Sequence, residues 1–185
     1  TFSFVAFYPL DADGVAAPAT TPLLVIVQER GVAVERYFWL ATHFASRGYP
    51  AIVVDHFADS PLVEIDNGWL ALDAARKASR FNGALKNLLT DDTKAVIIGH
   101  GEGAQAAQDL WVRYKDFVSL LAIGGAVTSD YSREDGEALC VSGDNDKEWG
   151  AMQRACATFP FATFSTIEGA NHFMFTDAVV SVERD

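Results

Sequence analysis

The sequence predicts a three-layer α/β fold with a mostly parallel central sheet, and two observations predict it. Apolar segments of strand length alternate with amphipathic segments of helix length along the 185 residues, which is typical of βα units. Several strand segments are nearly continuous in Val, Ile, Leu and Ala, as expected for strands buried on both faces. No repeat or low-complexity segment interrupts the pattern, so we expect a single domain over residues 1–185.

Each predicted element follows from its local pattern. Apolar runs predict strands at residues 2–8, 23–27, 51–55, 95–99, 118–123, 138–142 and 161–167. Amphipathic segments predict helices at about 35–47, 69–89, 102–114 and 148–158, with a last helix that begins near Phe175 and continues to Asp185. In a parallel sheet, ligand-binding and catalytic residues usually lie in the loops beyond the carboxyl ends of the strands. The residues that follow each strand are therefore the informative ones.

Charge and composition exclude several function classes. The net charge is −11, with 25 acidic against 14 basic residues, and such a chain repels the phosphates of nucleic acid. No apolar run approaches the roughly 18 residues that a membrane span needs. The four histidines lack ligand spacing, so we expect no metal site and no cofactor.

The two cysteines, Cys140 and Cys156, are too few for a disulfide framework or a zinc site. Two interpretations of these cysteines remain open. Both can be buried thiols, as free cysteines often are. They can also form one bridge, if a helix brings Cys156 back beside the strand that carries Cys140.

A glycine-rich turn, Gly99-His100-Gly101-Glu102-Gly103-Ala104, follows the fourth predicted strand. Its residues match the dinucleotide-binding motif G-x-G-x-x-G/A. However, the next strand ends in Ile123-Gly124-Gly125 and lacks the acidic residue that holds a ribose. The turn also fits the nucleophile elbow G-x-S-x-G, with Gly101 where the serine belongs.

The order of the downstream residues favours the elbow. An elbow nucleophile is followed along the chain by an acid and then by a histidine. Asp146 follows the next-to-last predicted strand, and His172 follows the last one. An Asp and a His placed in this way can act as the orienting acid and the base of a triad. Asp146 also has a simpler interpretation, as a cap on the helix that begins after it.

At these residues the chain resembles the α/β-hydrolase superfamily, and within it the cutinase-like polyester hydrolases and the dienelactone hydrolases. The resemblance covers roughly residues 4–173. It rests on the following matches: Tyr8-Pro9, Trp39-Leu40, Ala45-Ser46-Arg47-Gly48-Tyr49, Gly99-His100 and Gly169-Ala170-Asn171-His172-Phe173. It implies an α/β-hydrolase fold, and it leaves open whether the first strand and part of the last helix are absent. The short segment from Gly124 to Gly136 leaves no room for a lid domain, so we expect a lidless fold.

The resemblance also implies roles for single residues. It assigns the acid to Asp146, the base to His172, and the oxyanion hole to the backbone N–H groups of Glu102 and Arg30. Gly101 leaves the nucleophile position vacant, and whether this glycine is natural or engineered stays open. Gln28-Glu29 in the oxyanion loop is similar to the dienelactone hydrolases.

Three further side chains are pocket candidates, namely Glu29, His56 and His100. A carboxylate from Glu29 would oppose the charge that develops in an oxyanion hole unless Arg30 neutralises it. His56 is also consistent with an ordinary loop residue.

Glycine cannot form an acyl-enzyme, so the sequence predicts a pseudoenzyme of esterase ancestry that binds a small ester-like ligand or a protein partner. The alternative is a carboxylic-ester or lactone hydrolase, either seen as an inactivated variant or using water activated by His172 and Asp146. A weaker alternative is a nucleotide binder that uses residues 99–104. The resemblance to polyester hydrolases favours secretion.

Overall fold

A computed structural model describes residues 3–56, 66–81, 86–125, 135–159 and 161–177 of the chain. Its strands are β1 (Phe4–Phe7), β2 (Leu23–Val27), β3 (Ala51–Val54), β4 (Ala95–His100), β5 (Phe117–Ile123), β6 (Glu137–Gly143) and β7 (Ala162–Ile167). Its helices are α1 (Phe38–Ala45), α2 (Asn67–Phe81), α3 (Glu102–Arg113) and α4 (Trp149–Cys156), and two short 3-10 helices cover Val34–Tyr37 and His172–Phe175.

All seven strands form one sheet in the order β1-β3-β2-β4-β5-β6-β7. The edge strand β1 is antiparallel to β3, and the remaining neighbours pair in parallel. The carboxyl ends of β2, β4, β6 and β7 therefore open onto the same edge of the sheet, where the loops that follow them can meet.

Helices cover both faces of the sheet, which confirms the predicted three layers. Buried residues of α2, α3 and α4, among them Leu72, Leu110 and Met152, share one apolar cluster with the sheet. On the other face, Tyr37 and Ala41 pack with Leu24, Ile26 and Ile98. Alternate residues of the central strands thus point into two different cores, which explains why these strands are apolar at nearly every position.

The structure corrects several predicted boundaries. The first predicted helix starts as the 3-10 helix Val34–Tyr37 and ends at Ala45. The second was predicted too long, because Leu88 and Leu89 lie in a non-helical segment although they are buried. The predicted helix from Phe175 is wrong at its start, because Thr176 and Asp177 are not helical, and residues 178–185 lie outside the described part. Residues 126–134, on which the lidless prediction depends, also lie outside it.

The two cysteines form a disulfide, which decides between the readings that the sequence left open. Cys140 on β6 is bonded to Cys156 at the end of α4. Both residues are almost fully buried. The bridge ties β6 to α4 and so closes the segment that carries Asp146.

Candidate active site

The turn between β4 and α3 has the sharp backbone that the elbow motif predicts. Gly101 joins the two elements with φ 56° and ψ −122°, in the region where a side chain is strained. The backbone of Gly99 at the end of β4 also lies directly against the first turn of α3. A Cβ at Gly99 would overlap the backbone of Gly103 and Ala104. Strand and helix therefore approach more closely than residues with side chains would permit.

The carboxylate of Glu29 fills the position that a side chain at residue 101 would occupy. A Cβ at Gly101 would overlap Oε2 of Glu29. The same oxygen accepts a hydrogen bond of 2.8 Å from the backbone N–H of Glu102. The N–H group predicted to serve the oxyanion hole is thus bonded to a carboxylate of the chain itself.

Arg30 forms an ion pair with Glu102 on the neighbouring turn. Its Nε donates to the carboxylate of Glu102 at 2.6 Å, and both side chains are about half exposed. Such an exposed pair contributes little to stability. The oxyanion role of the Arg30 backbone remains a prediction.

Asp146 and His172 come together as the triad order predicts. Oδ2 of Asp146 lies 2.9 Å from Nδ1 of His172, and Oδ1 accepts from the N–H of Glu148 at 2.9 Å. The carboxylate is 2% exposed, so both its oxygens are held in place. The helix-cap prediction is wrong, because α4 begins at Trp149 with Glu148 as its N-cap and without a side-chain cap hydrogen bond. One oxygen of Asp146 instead stabilises the turn that precedes the helix, and the other faces the histidine. The catalytic roles of Asp146 and His172 remain predictions.

His172 lies between two carboxylates. Its Nε2 forms an ion pair with Oε2 of Glu29 at 3.5 Å, opposite the contact with Asp146. The hydrogen bond to Glu29 raises the pKa of His172 above the ordinary 6.5, burial opposes this, and Asp146 raises it further. A histidine with a carboxylate at each nitrogen favours the imidazolium, which has no lone pair to accept a proton.

A second, buried layer positions this pair. His100 was predicted to line the pocket, but it is 2% exposed and lies behind His172. Its Nε2 is 2.9 Å from the carbonyl oxygen of His172, and its Nδ1 is 2.7 Å from the hydroxyl of Tyr37. The carbonyl can only accept, so Nε2 carries the proton and Nδ1 accepts from Tyr37. Burial lowers the pKa of His100, which agrees with this neutral form.

Tyr37 connects the second layer to Glu29. Its hydroxyl oxygen accepts from the backbone N–H of Glu29 at 2.9 Å while it donates to His100. Burial raises the pKa of Tyr37, so the hydroxyl keeps its proton. This role could not be predicted from sequence, since an aromatic residue in an amphipathic segment predicts only core packing.

The pocket prediction is wrong for His56, which is 1% exposed. Its backbone N–H donates to Gln28 and its carbonyl accepts from Asn67. The site opens instead into a cavity of about 340 Å³. Polar and small residues line it, namely Glu29, Glu102, Gln105, Glu148 and His172 with Gly101, Gly124 and Gly125.

Known proteins match this chain in fold and not in sequence. No protein-family profile matches it, and no characterised protein is detectably similar to it in sequence. Solved structures do match: Est1E from Butyrivibrio proteoclasticus superposes with a TM-score of 0.69 at 13% identity, over 96% of this chain and 87% of that one. Est1E with ferulic acid bound gives a TM-score of 0.69 at 12% identity, over 95% and 88%. The fold is that of the α/β hydrolases.

Within this fold the described helices add no membrane segment. None of those in the described ranges is long and apolar enough to cross a bilayer.

A larger, apolar groove of about 1040 Å³ runs along the sheet face beside α1 and is lined by residues such as Val96, Leu121 and Phe161. None of the residues of the Glu29–His172 site lines this groove.

Proposed function

We propose that this protein is a pseudoenzyme of esterase ancestry, which binds a ligand at the former catalytic site and does not hydrolyse esters by a serine mechanism. The likeness of its fold to the esterase Est1E supports the ancestry. The chain order of elbow, acid and histidine agrees with it.

One observation carries the proposal, namely the carboxylate of Glu29 in the place of the nucleophile. Loss of a serine by itself removes the acyl-enzyme route. The Glu29 carboxylate adds a second obstacle, because it uses the Glu102 N–H that would otherwise stabilise a developing oxyanion. A negative charge at this point also repels such an oxyanion.

Hydrolysis through water activated by His172 is the second candidate. The contact of 2.9 Å between Asp146 and His172 favours it, because a base needs such an orienting group. The contact between His172 and Glu29 opposes it, because it raises the pKa of His172 and so reduces the fraction of neutral imidazole that can take a proton from water. Nucleotide binding has less support, since the N–H at the start of α3 that would meet a phosphate is bonded to Glu29.

Ester turnover by the unmodified protein tests the proposal. The substrates are p-nitrophenyl esters of increasing chain length and one lactone, and the matched control is His172→Asn. We expect the two proteins to give the same rate, equal to that of buffer. Saturable turnover by the unmodified protein that disappears in His172→Asn would overturn the proposal in favour of activated water.

A further inference from the structure

The position of Glu29 against His172 resembles two neighbouring ligands of a metal ion. Oε2 of Glu29 and Nε2 of His172 are 3.5 Å apart. Two ligands at 2.0–2.1 Å from a tetrahedral ion are separated by about 3.4 Å. An ion between these two atoms therefore needs small shifts of either side chain and loss to solvent of the proton that Nε2 carries in the imidazolium.

The second layer matches what metal-bound histidines require. A histidine ligand almost always donates its other ring N–H to a carboxylate or a carbonyl, which fixes its orientation. Asp146 accepts from Nδ1 of His172 at 2.9 Å. Its carboxylate is 2% exposed and is held at its other oxygen by the Glu148 N–H. The ring is thus fixed with Nε2 directed towards Glu29.

His100 supports the arrangement from behind. Glu29, His100 and His172 form a group whose ligand atoms lie within 4.8 Å of one another. Both nitrogens of His100 are engaged, with Tyr37 and with the carbonyl of His172. We therefore treat His100 as a positioning residue and not as a ligand.

The remaining coordination positions face open space. The cavity of about 340 Å³ adjoins both ligands, which leaves room for water molecules or an added anion. An imidazole nitrogen together with a carboxylate oxygen suits Zn²⁺ and its borderline-soft neighbours. The chain has a net charge of −11, which raises the local concentration of cations.

We propose that Glu29 and His172 bind one divalent transition-metal ion of the zinc type, with Asp146 and His100 as positioning residues. The inference rests on the proposed function and deepens it, because it names what the former catalytic site binds. Sequence spacing gives no hint of this site, since its two ligands are 143 residues apart.

Titration of the protein with Zn²⁺ by isothermal calorimetry tests the proposal. The protein is first treated with chelator to remove metal, and its disulfide between Cys140 and Cys156 is kept intact. We expect one ion per chain, with binding lost in Glu29→Gln and in His172→Asn. Asp146→Asn should weaken binding about 10–100-fold. The controls are His43→Asn and Glu35→Gln, which alter an exposed histidine and an exposed carboxylate outside the site and should bind as the unmodified protein does.

Co²⁺ provides a second measurement that loss of folding cannot imitate. Its visible absorption reports coordination geometry, and circular dichroism of each variant verifies the fold. Absence of saturable Zn²⁺ binding, or binding that persists undiminished in folded Glu29→Gln and His172→Asn, would overturn the metal site. The ester assays are run on the same chelator-treated protein, so neither zinc result alters them, and ester turnover there would overturn the proposed function whatever the zinc result.

Discussion

The carboxylate of Glu29 occupies the space that a side chain at Gly101 would need. The two residues follow different strands, β2 and β4, and Glu29 can hold this position only because residue 101 has no side chain. Glycine at the elbow therefore does more than remove a hydroxyl. It admits Glu29, and Glu29 in turn occupies the Glu102 N–H.

A serine at residue 101 should destabilise the protein while Glu29 is present. The new Cβ would overlap the carboxylate, and φ is 56°, so we expect Gly101→Ser to cost about 1–3 kcal/mol. Adding Glu29→Ala should recover part of this cost, because the two residues are in contact. Urea denaturation of both single variants and the double variant measures the coupling, and strict additivity would contradict the overlap.

The metal-free protein should lose stability through His172 as the pH rises. The folded-state pKa of His172 is raised above 6.5, so its ion pairs contribute fully below the unfolded-state pKa and are lost as the pH rises through the folded-state pKa. Glu29→Gln removes the first cause of the shift and should lower this pKa. NMR titration of the His172 ring in the unmodified protein and in Glu29→Gln measures this pKa. Equal pKa values in the two proteins would show that Glu29 does not stabilise the protonated form of His172.

The close approach at the elbow should make Gly99 intolerant of substitution. Gly99→Ala places a Cβ against the backbone of Gly103 and Ala104, which cannot move without shifting α3, and we expect a loss of about 3 kcal/mol or more. Gly150→Ala is the matched control, because its Cβ would meet only the end of the flexible Arg154 side chain. In α4 it should be neutral or stabilising by up to about 1 kcal/mol. Similar losses in both variants would contradict the interpretation.

The disulfide should stabilise the loop that carries Asp146. Cys140 and Cys156 are separated by 16 residues, and closing a loop of this size is worth about 3 kcal/mol in the chain-entropy account. Reduction should therefore lower the Tm of the unmodified protein. The Cys140→Ala/Cys156→Ala variant should have a lowered Tm that does not respond to reductant. A reductant response that is the same in both proteins would refute the assignment.

Much of the fold followed from the sequence, because βα alternation and apolar strands depend on local pattern. The seven strands are at their predicted places within one or two residues. The second helix was predicted too long, because Leu88 and Leu89 are apolar for a reason other than helix packing, namely burial in a non-helical segment that precedes β4. Helical periodicity alone cannot separate these two cases.

The candidate site could be predicted only in part. The order of Gly101, Asp146 and His172 indicated which loops would meet, because strand ends in a parallel sheet share one edge. The partner of Arg30 and the burial of His56 depend on side-chain directions that the sequence does not encode locally. The insertion of Glu29 depends on the missing Cβ at Gly101, and only the three-dimensional contact reveals it.

Labelling by a fluorophosphonate probe tests the central claim, that Glu29 stands in the place of the nucleophile, most directly. The probe is applied to the unmodified protein, to Gly101→Ser and to Glu29→Ala/Gly101→Ser, each verified as folded. We predict that only the double variant is labelled at residue 101, because only there are both the hydroxyl and a free Glu102 N–H present. Equal labelling of Gly101→Ser and the double variant, or none in either, would contradict the claim.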